Sequence, residues 1–284
     1  MNILAVGDSF TAGVELIDEF EIPNHPGYYP APPRSDSETE FINAWQEKYR
    51  YPWIRANHKT SELFKVMSDK EKVRAYPNLI AQKLNCEVTN LALGGASMYN
   101  LTRILLEQVL FEKDFSDTII FYQPTGMDRI CQYFQNDWKD FIFPNLENYT
   151  WAGKDLMHWL KQKISYENNY SLIMAWFKEF YSALSLIKTT NCKQFYIIDT
   201  GFKSKIDQAM RTNFNATQNA ELMKYRIHLE KVTLNQWLNL GSVAQELAKQ
   251  GNLQTHCPLG HYSPVVHEYF AEQTVNKLKT QNII

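Results

Sequence analysis

The sequence has few cysteines, no long apolar run and no excess of charge of either sign. Its four cysteines, Cys86, Cys131, Cys192 and Cys257, lie far apart and form no Cys-x-x-Cys pair. That spacing argues against a zinc knuckle, and although an even count permits disulfides, nothing else points to an oxidising compartment. No window reaches the roughly 18 consecutive apolar residues of a membrane span. The opening Met-Asn-Ile-Leu-Ala-Val-Gly-Asp-Ser-Phe has no basic start, no extended apolar region and no small-residue cleavage site, so it reads as a first strand and not as a signal peptide. The expectation is a soluble chain without membrane partners. It is cytoplasmic, or released without a signal peptide by lysis or as part of a virion. With 29 basic against 31 acidic residues and no basic run, a nucleic-acid partner is not expected. His25, His58, His158, His228 and His256 show neither His-x-x-x-His nor His-Glu-x-x-His spacing, so no metal is expected. No Gly-Lys-Ser/Thr follows the first glycine turn, which removes a P-loop, and no cofactor is expected.

What is present is an ordinary globular composition rich in aromatics, at 14% of 284 residues. Most of these rings belong in a core, and a surplus would also suit stacking on sugar rings. Residues 2–6 form an apolar run ending at Gly7, the pattern of a buried parallel strand. Further strands are expected over 87–91, 117–123 and 194–199. Helices are expected over 60–70, 76–84, 98–112 and 170–188, over most of 219–250 with a break near Gly241, and over 264–280 from Pro264. Strands alternating with helices predict a three-layer α/β/α sandwich with a parallel sheet of about five strands. Residues 21–55 hold six prolines among Tyr and Trp and read as a long insertion, a binding wall or a passive excursion, within one domain spanning 1–284. Residues 130–165 show no clear period.

The chemistry concentrates at three places. Gly7-Asp8-Ser9-Phe10-Thr11 follows the first strand directly, so Ser9 falls at the carboxyl edge of a parallel sheet, where α/β proteins place their sites. A following helix would present amides to an anion there; alternatively Ser9 is only a helix cap. Asn90-Leu91-Ala92-Leu93-Gly94-Gly95-Ala96-Ser97 forms a glycine turn after the second strand. Gly260-His261-Tyr262-Ser263-Pro264, with His267 beyond it, precedes the last helix.

These three blocks, in this order, resemble those of the SGNH/GDSL hydrolases, in a style similar to SGNH-like proteins of bacteria and their viruses. The resemblance implies a flavodoxin-like fold, Ser9 as nucleophile, His261 as its base, and the backbone amides of Ser9 and Gly95 as oxyanion donors. His267 is expected to pack or support the site. The implied activity is hydrolysis of an ester, first of all removal of O-acetyl or similar acyl groups from a carbohydrate, with an ester substrate, such as a glycan, as partner. Oligomeric state is left open.

Two departures from the family pattern stand out. The family's third block reads Gly-x-Asn-Asp, with Asn as an oxyanion donor. Here Asp128 matches the Asp, Thr125 falls at the Gly and Met127 at the Asn. Methionine cannot donate a hydrogen bond, so Gln123 or Thr125 is expected to substitute from the same strand end. Asp128 and Arg129 could also form a structural pair or cap. The family's Asp three residues before its histidine is Pro258 here. Orientation of His261 then falls to a backbone carbonyl near Pro258 or Leu259, or to Asp199 at the end of the fourth strand. Asp8, Asp128 and Asp199 are the candidate acids or supporting carboxylates. Loss of an orienting acid can lower the rate by up to about 10⁴, so a catalytically weak or inactive glycan-binding or structural protein on this fold is the rival reading.

Overall fold

A computed structural model describes residues 1–13, 69, 71–112, 114–126, 129–134, 137–142, 153–166, 169–201, 207, 214–251, 255 and 261–284. The expected helix at 60–70, apart from residue 69, and the 21–55 insertion lie outside these. So do Met127, Asp128, Pro258, Leu259 and Gly260.

The elements run β1 (Asn2–Val6), α1 (Ser9–Ala12), α2 (Tyr76–Leu84), β2 (Glu87–Asn90), α3 (Met98–Phe111), β3 (Thr118–Tyr122), β4 (Arg129–Phe134) and β5 (Asp137–Ile142). They continue with α4 (Gly153–Tyr166), α5 (Asn169–Thr189), β6 (Gln194–Asp199), α6 (Ala216–Val232), β7 (Trp237–Asn239), α7 (Leu240–Lys249) and α8 (Pro264–Thr280). Five strands form one parallel sheet in the order β2-β1-β3-β6-β7. The sheet is covered by helices on both faces, as the alternation of strands and helices implies.

The period-two geometry of strands accounts for the layers. Leu4, Val6, Ile120, Tyr122 and Ile197 point to one face, where they pack with Leu101, Leu105 of α3 and Trp176, Phe177, Phe180 of α5. Their chain neighbours Ile3, Ala5, Ile119, Phe121, Tyr196 and Ile198 point to the other, against Ile80 of α2, Val243 and Leu247 of α7 and Phe270 of α8. Strands β1 and β3 are apolar on both faces because both faces are covered.

Two features differ from the sequence expectation. The stretch 219–250 holds a strand: β7, three residues long, pairs with β6 between helices α6 and α7, and it completes the sheet at its edge. Within 130–165, β4 and β5 form an antiparallel hairpin apart from the main sheet, with Phe134 opposite Asp137 and Arg129 opposite Ile142. Among the described residues, no helix is long and apolar enough to cross a membrane, and no group of three or more His, Cys, Asp or Glu is arranged to hold a metal ion.

Candidate active site

The site is built at the carboxyl ends of β1, β2 and β3. Parallel register sets Val6 beside Tyr122 and Ala5 beside Asn90, so the residues that follow each strand meet at one edge. Gly7 is glycine for lack of space: a Cβ there would stand 2.5 Å from Thr11 Oγ1 and 2.8 Å from Gln123 Cβ. The chain can then turn sharply into α1. Asp8 caps that helix, its Oδ1 accepting from the Phe10 amide at 3.1 Å, and Gly13 ends it in the left-handed region at φ 73°. With only four residues, α1 offers local amides and little macrodipole. Ser9, its first residue, is 6% exposed.

Asp8 is the hub of a buried polar network. Its Oδ1 also accepts from Gln123 Nε2, and its Oδ2 accepts from Thr125 Oγ1 at 2.9 Å and from Arg129 Nη1 at 3.2 Å. Gln123 Oε1 accepts from the Thr11 amide at 3.0 Å and from the Thr11 hydroxyl. The Thr11 hydroxyl in turn lies 3.0 Å from the Tyr76 hydroxyl. The cluster's polar atoms thus largely satisfy one another, as burial of polar groups demands, although among the described residues the buried Arg129 Nε has no hydrogen-bond partner. The side chains of Gln123 and Thr125, expected to face an oxyanion, direct their donors to Asp8. The Thr125 backbone is also engaged: its amide meets Met98 Sδ, and its carbonyl accepts from Trp176 Nε1 at 2.8 Å.

The glycine loop after β2 is fastened to the same edge. Asn90 Nδ2 donates to the Thr11 carbonyl at 3.0 Å, while its Oδ1 accepts from the Ala92 amide. The Leu93 amide donates to the Gly7 carbonyl at 3.0 Å. Gly95 has φ 81°, a conformation that favours glycine, and Ser97 then caps α3 through the Asn100 amide. Arg129 Nη1 also donates to the Ala96 carbonyl at 3.2 Å.

His261 arrives from the other end of the chain. The ring of Phe10, the residue after Ser9, packs against His261 with centroids 5.1 Å apart and against Tyr262 at 5.0 Å. Tyr262 donates to the Thr200 carbonyl, and burial, with Asp199 nearby, pushes its hydroxyl up to about 12. The Asp199 carboxylate accepts from the Gly201 amide at 2.9 Å and from Asn239 Nδ2 at 3.3 Å. His267 is buried on α8; its Nδ1 accepts from the Tyr76 amide at 3.1 Å, which leaves its proton on Nε2. Burial, and secondly the proximity of His261, lowers its pKa to about 3, so it is neutral near pH 7.

The structure therefore gathers Asp8, Ser9, Gln123, Thr125 and Arg129 at one edge, with the Gly95 loop bonded to it and His261 packed on Phe10. Asp199 sits beside Tyr262. Arg129, read from sequence only as a pairing or capping residue, and Tyr76 and Asn90 are further members of the site's frame. The two acceptors of Arg129 lie on separate turns far from it in sequence, so no local motif marks its role.

No family model matches the chain, and no curated protein matches it. Solved structures do. A member of the lipolytic protein G-D-S-L family from Veillonella parvula DSM 2008 is 11% identical, with a TM-score of 0.47 over 97% of each chain. A putative lipolytic protein of the G-D-S-L family from Desulfitobacterium hafniense DCB-2 is 12% identical, with a TM-score of 0.43 over 97% of this chain and 98% of that one. A carbohydrate esterase described as having divergent catalytic and non-catalytic binding functions is 13% identical, with a TM-score of 0.39 over 98% of this chain and 64% of that one. Structural neighbours of this α/β chain thus include G-D-S-L lipolytic proteins and a carbohydrate esterase, each at low sequence identity.

Proposed function

We propose that the protein is a serine-dependent ester hydrolase, with Ser9 as nucleophile and His261 as base. The observation that carries this reading is the packing of Phe10 on His261 at 5.1 Å, which brings the C-terminal histidine to the residue next to Ser9. In the reaction Ser9 Oγ attacks the ester carbonyl while His261 takes its proton. The amides of Ser9 and Gly95 hold the developing oxyanion. His261 then gives the proton to the leaving alcohol, and water reverses the sequence to release the acid. The Asp199 carboxylate accepts from the Gly201 amide and Asn239 Nδ2, and the reading assigns the orientation of His261 to a backbone carbonyl instead of this acid. The substrate class is an acylated carbohydrate, losing O-acetyl or similar groups. That choice rests on the sequence resemblance and the aromatic-rich segments.

A second reading follows from Gln123 and Thr125. With their side-chain donors on Asp8, the oxyanion has two backbone amides and no side-chain donor from this strand end, and losing one such donor costs about 3–4 kcal/mol of barrier height. A weak or inactive glycan-binding protein would share this arrangement. Hydrolysis of a small aryl acetate separates the two. The hydrolase reading expects turnover that is abolished in both Ser9→Ala and His261→Ala. Turnover unaffected by Ser9→Ala would remove it, and absence of turnover in the wild type would favour the binding protein.

A further inference from the structure

We infer that Arg129 is a positioning residue that holds the Gly95 loop against the Ser9 turn and thereby sets the spacing of the oxyanion hole. The inference rests on the hydrolase reading above. A single nitrogen, Arg129 Nη1, donates to both Asp8 Oδ2 and the Ala96 carbonyl, each at 3.2 Å. Asp8 immediately precedes Ser9, and Ala96 immediately follows Gly95. One guanidinium therefore bridges the two turns whose amides face the developing oxyanion. Among the described residues, neutral bonds also join these turns: the Leu93 amide to the Gly7 carbonyl, and Asn90 Nδ2 to the Thr11 carbonyl. Arg129 adds a charged link, and its side chain, 16% exposed, meets an Asp8 side chain that is 4% exposed. Charge-assisted bonds in such surroundings are about twice as strong as neutral ones.

Arg129 also opens β4, so the same contact anchors the β4–β5 hairpin at the site. A purely structural anchor and a positioning residue differ in what they change. An anchor alters the melting temperature and leaves the chemical step of the folded enzyme intact. A positioning residue alters kcat while KM holds, because the oxyanion contact strengthens only in the transition state.

The test uses the full chain, a small aryl acetate, and a fluorophosphonate probe with its adduct located by peptide mass. In Arg129→Gln the expected result is a fall in kcat of about 10- to 100-fold, with KM within about twofold. Labelling of Ser9 should slow in parallel. Arg129→Lys should recover part of the loss, since an ammonium keeps the charge but not the planar reach to two acceptors. A folded Arg129→Gln variant with wild-type kcat, or with only KM raised, overturns the inference. If Arg129→Gln does not fold, Arg129→Lys decides: a lower kcat at constant KM supports the inference, and wild-type kcat overturns it. Ser9 labelling with Arg129 indifferent removes this inference alone. A wild-type protein not labelled at Ser9 removes the hydrolase reading and this inference together.

Discussion

Gly7→Ala is the smallest change that probes the site's frame. The added Cβ would stand 2.5 Å from Thr11 Oγ1 and 2.8 Å from both Thr11 Cβ and Gln123 Cβ. Thr11 cannot simply rotate away, because its hydroxyl is held between Gln123 Oε1 and the Tyr76 hydroxyl. Gln123 is held at its other end by Asp8. Overpacking of this kind costs about 1–3 kcal/mol, and loss of one buried hydrogen bond adds about 1 kcal/mol. At about 2.1 cal/mol/K per residue, 284 residues unfold with an entropy of about 0.6 kcal/mol/K, so about 2–4 kcal/mol lowers Tm by about 3–7 °C. The Gly7 carbonyl also accepts from Leu93, so moving residue 7 disturbs the Ser9 turn and the Gly95 loop together, and kcat should fall with stability. Thermal melting followed by circular dichroism, with aryl-acetate kinetics well below Tm, reads both effects. A Tm within about 1 °C of wild type, with kcat unchanged, would refute the steric argument.

Three other expectations follow. Asp8→Asn leaves Arg129 without its carboxylate and turns an amide donor toward other donors, so urea denaturation should show a loss of about 3–5 kcal/mol; a loss under about 1 kcal/mol would contradict the buried pair. For His267, the folded pKa of about 3 lies below the unfolded value of about 6.5, so the unfolded chain binds more protons between them. Its contribution to stability is complete above pH 6.5 and is lost toward pH 3 at up to about 1.4 kcal/mol per unit. His267→Gln, which can still accept from the Tyr76 amide, should flatten this slope by one proton, and unchanged slopes in urea series would show that His267 titrates normally. Asp199→Asn should lower Tm through its Gly201 and Asn239 bonds yet keep kcat within about threefold; a fall toward 10⁴-fold would make Asp199 the third catalytic member.

The sheet was readable where residues are apolar on both faces. β1 and β3 are continuous apolar runs because helices cover both sides. The start of α8 was marked by Pro264. β7 was not legible: three residues at the sheet edge carry too few alternations to stand out between helical stretches. The β4–β5 hairpin was hidden because no Asn-Gly or Asp-Gly marks its turn. In the site, the positions of Ser9, Gly95 and His261 at element ends followed from local motifs. The Asp8 network did not, since its bonds to Gln123, Thr125 and Arg129 join residues more than a hundred positions apart. Parallel pairing of β1 with β3 would have predicted that Asp8 and Gln123 meet. Nothing local would have predicted that Gln123 and Thr125 direct their donors to that carboxylate.

The proposed reaction requires Ser9 to be a nucleophile activated by His261. Treating the wild-type chain with a fluorophosphonate and locating the adduct by peptide mass spectrometry tests it most directly. The expected result is a single phosphonylated residue, Ser9, with labelling absent in Ser9→Ala and strongly slowed in His261→Ala. An adduct on another residue, or equal labelling of wild type and Ser9→Ala, would contradict it.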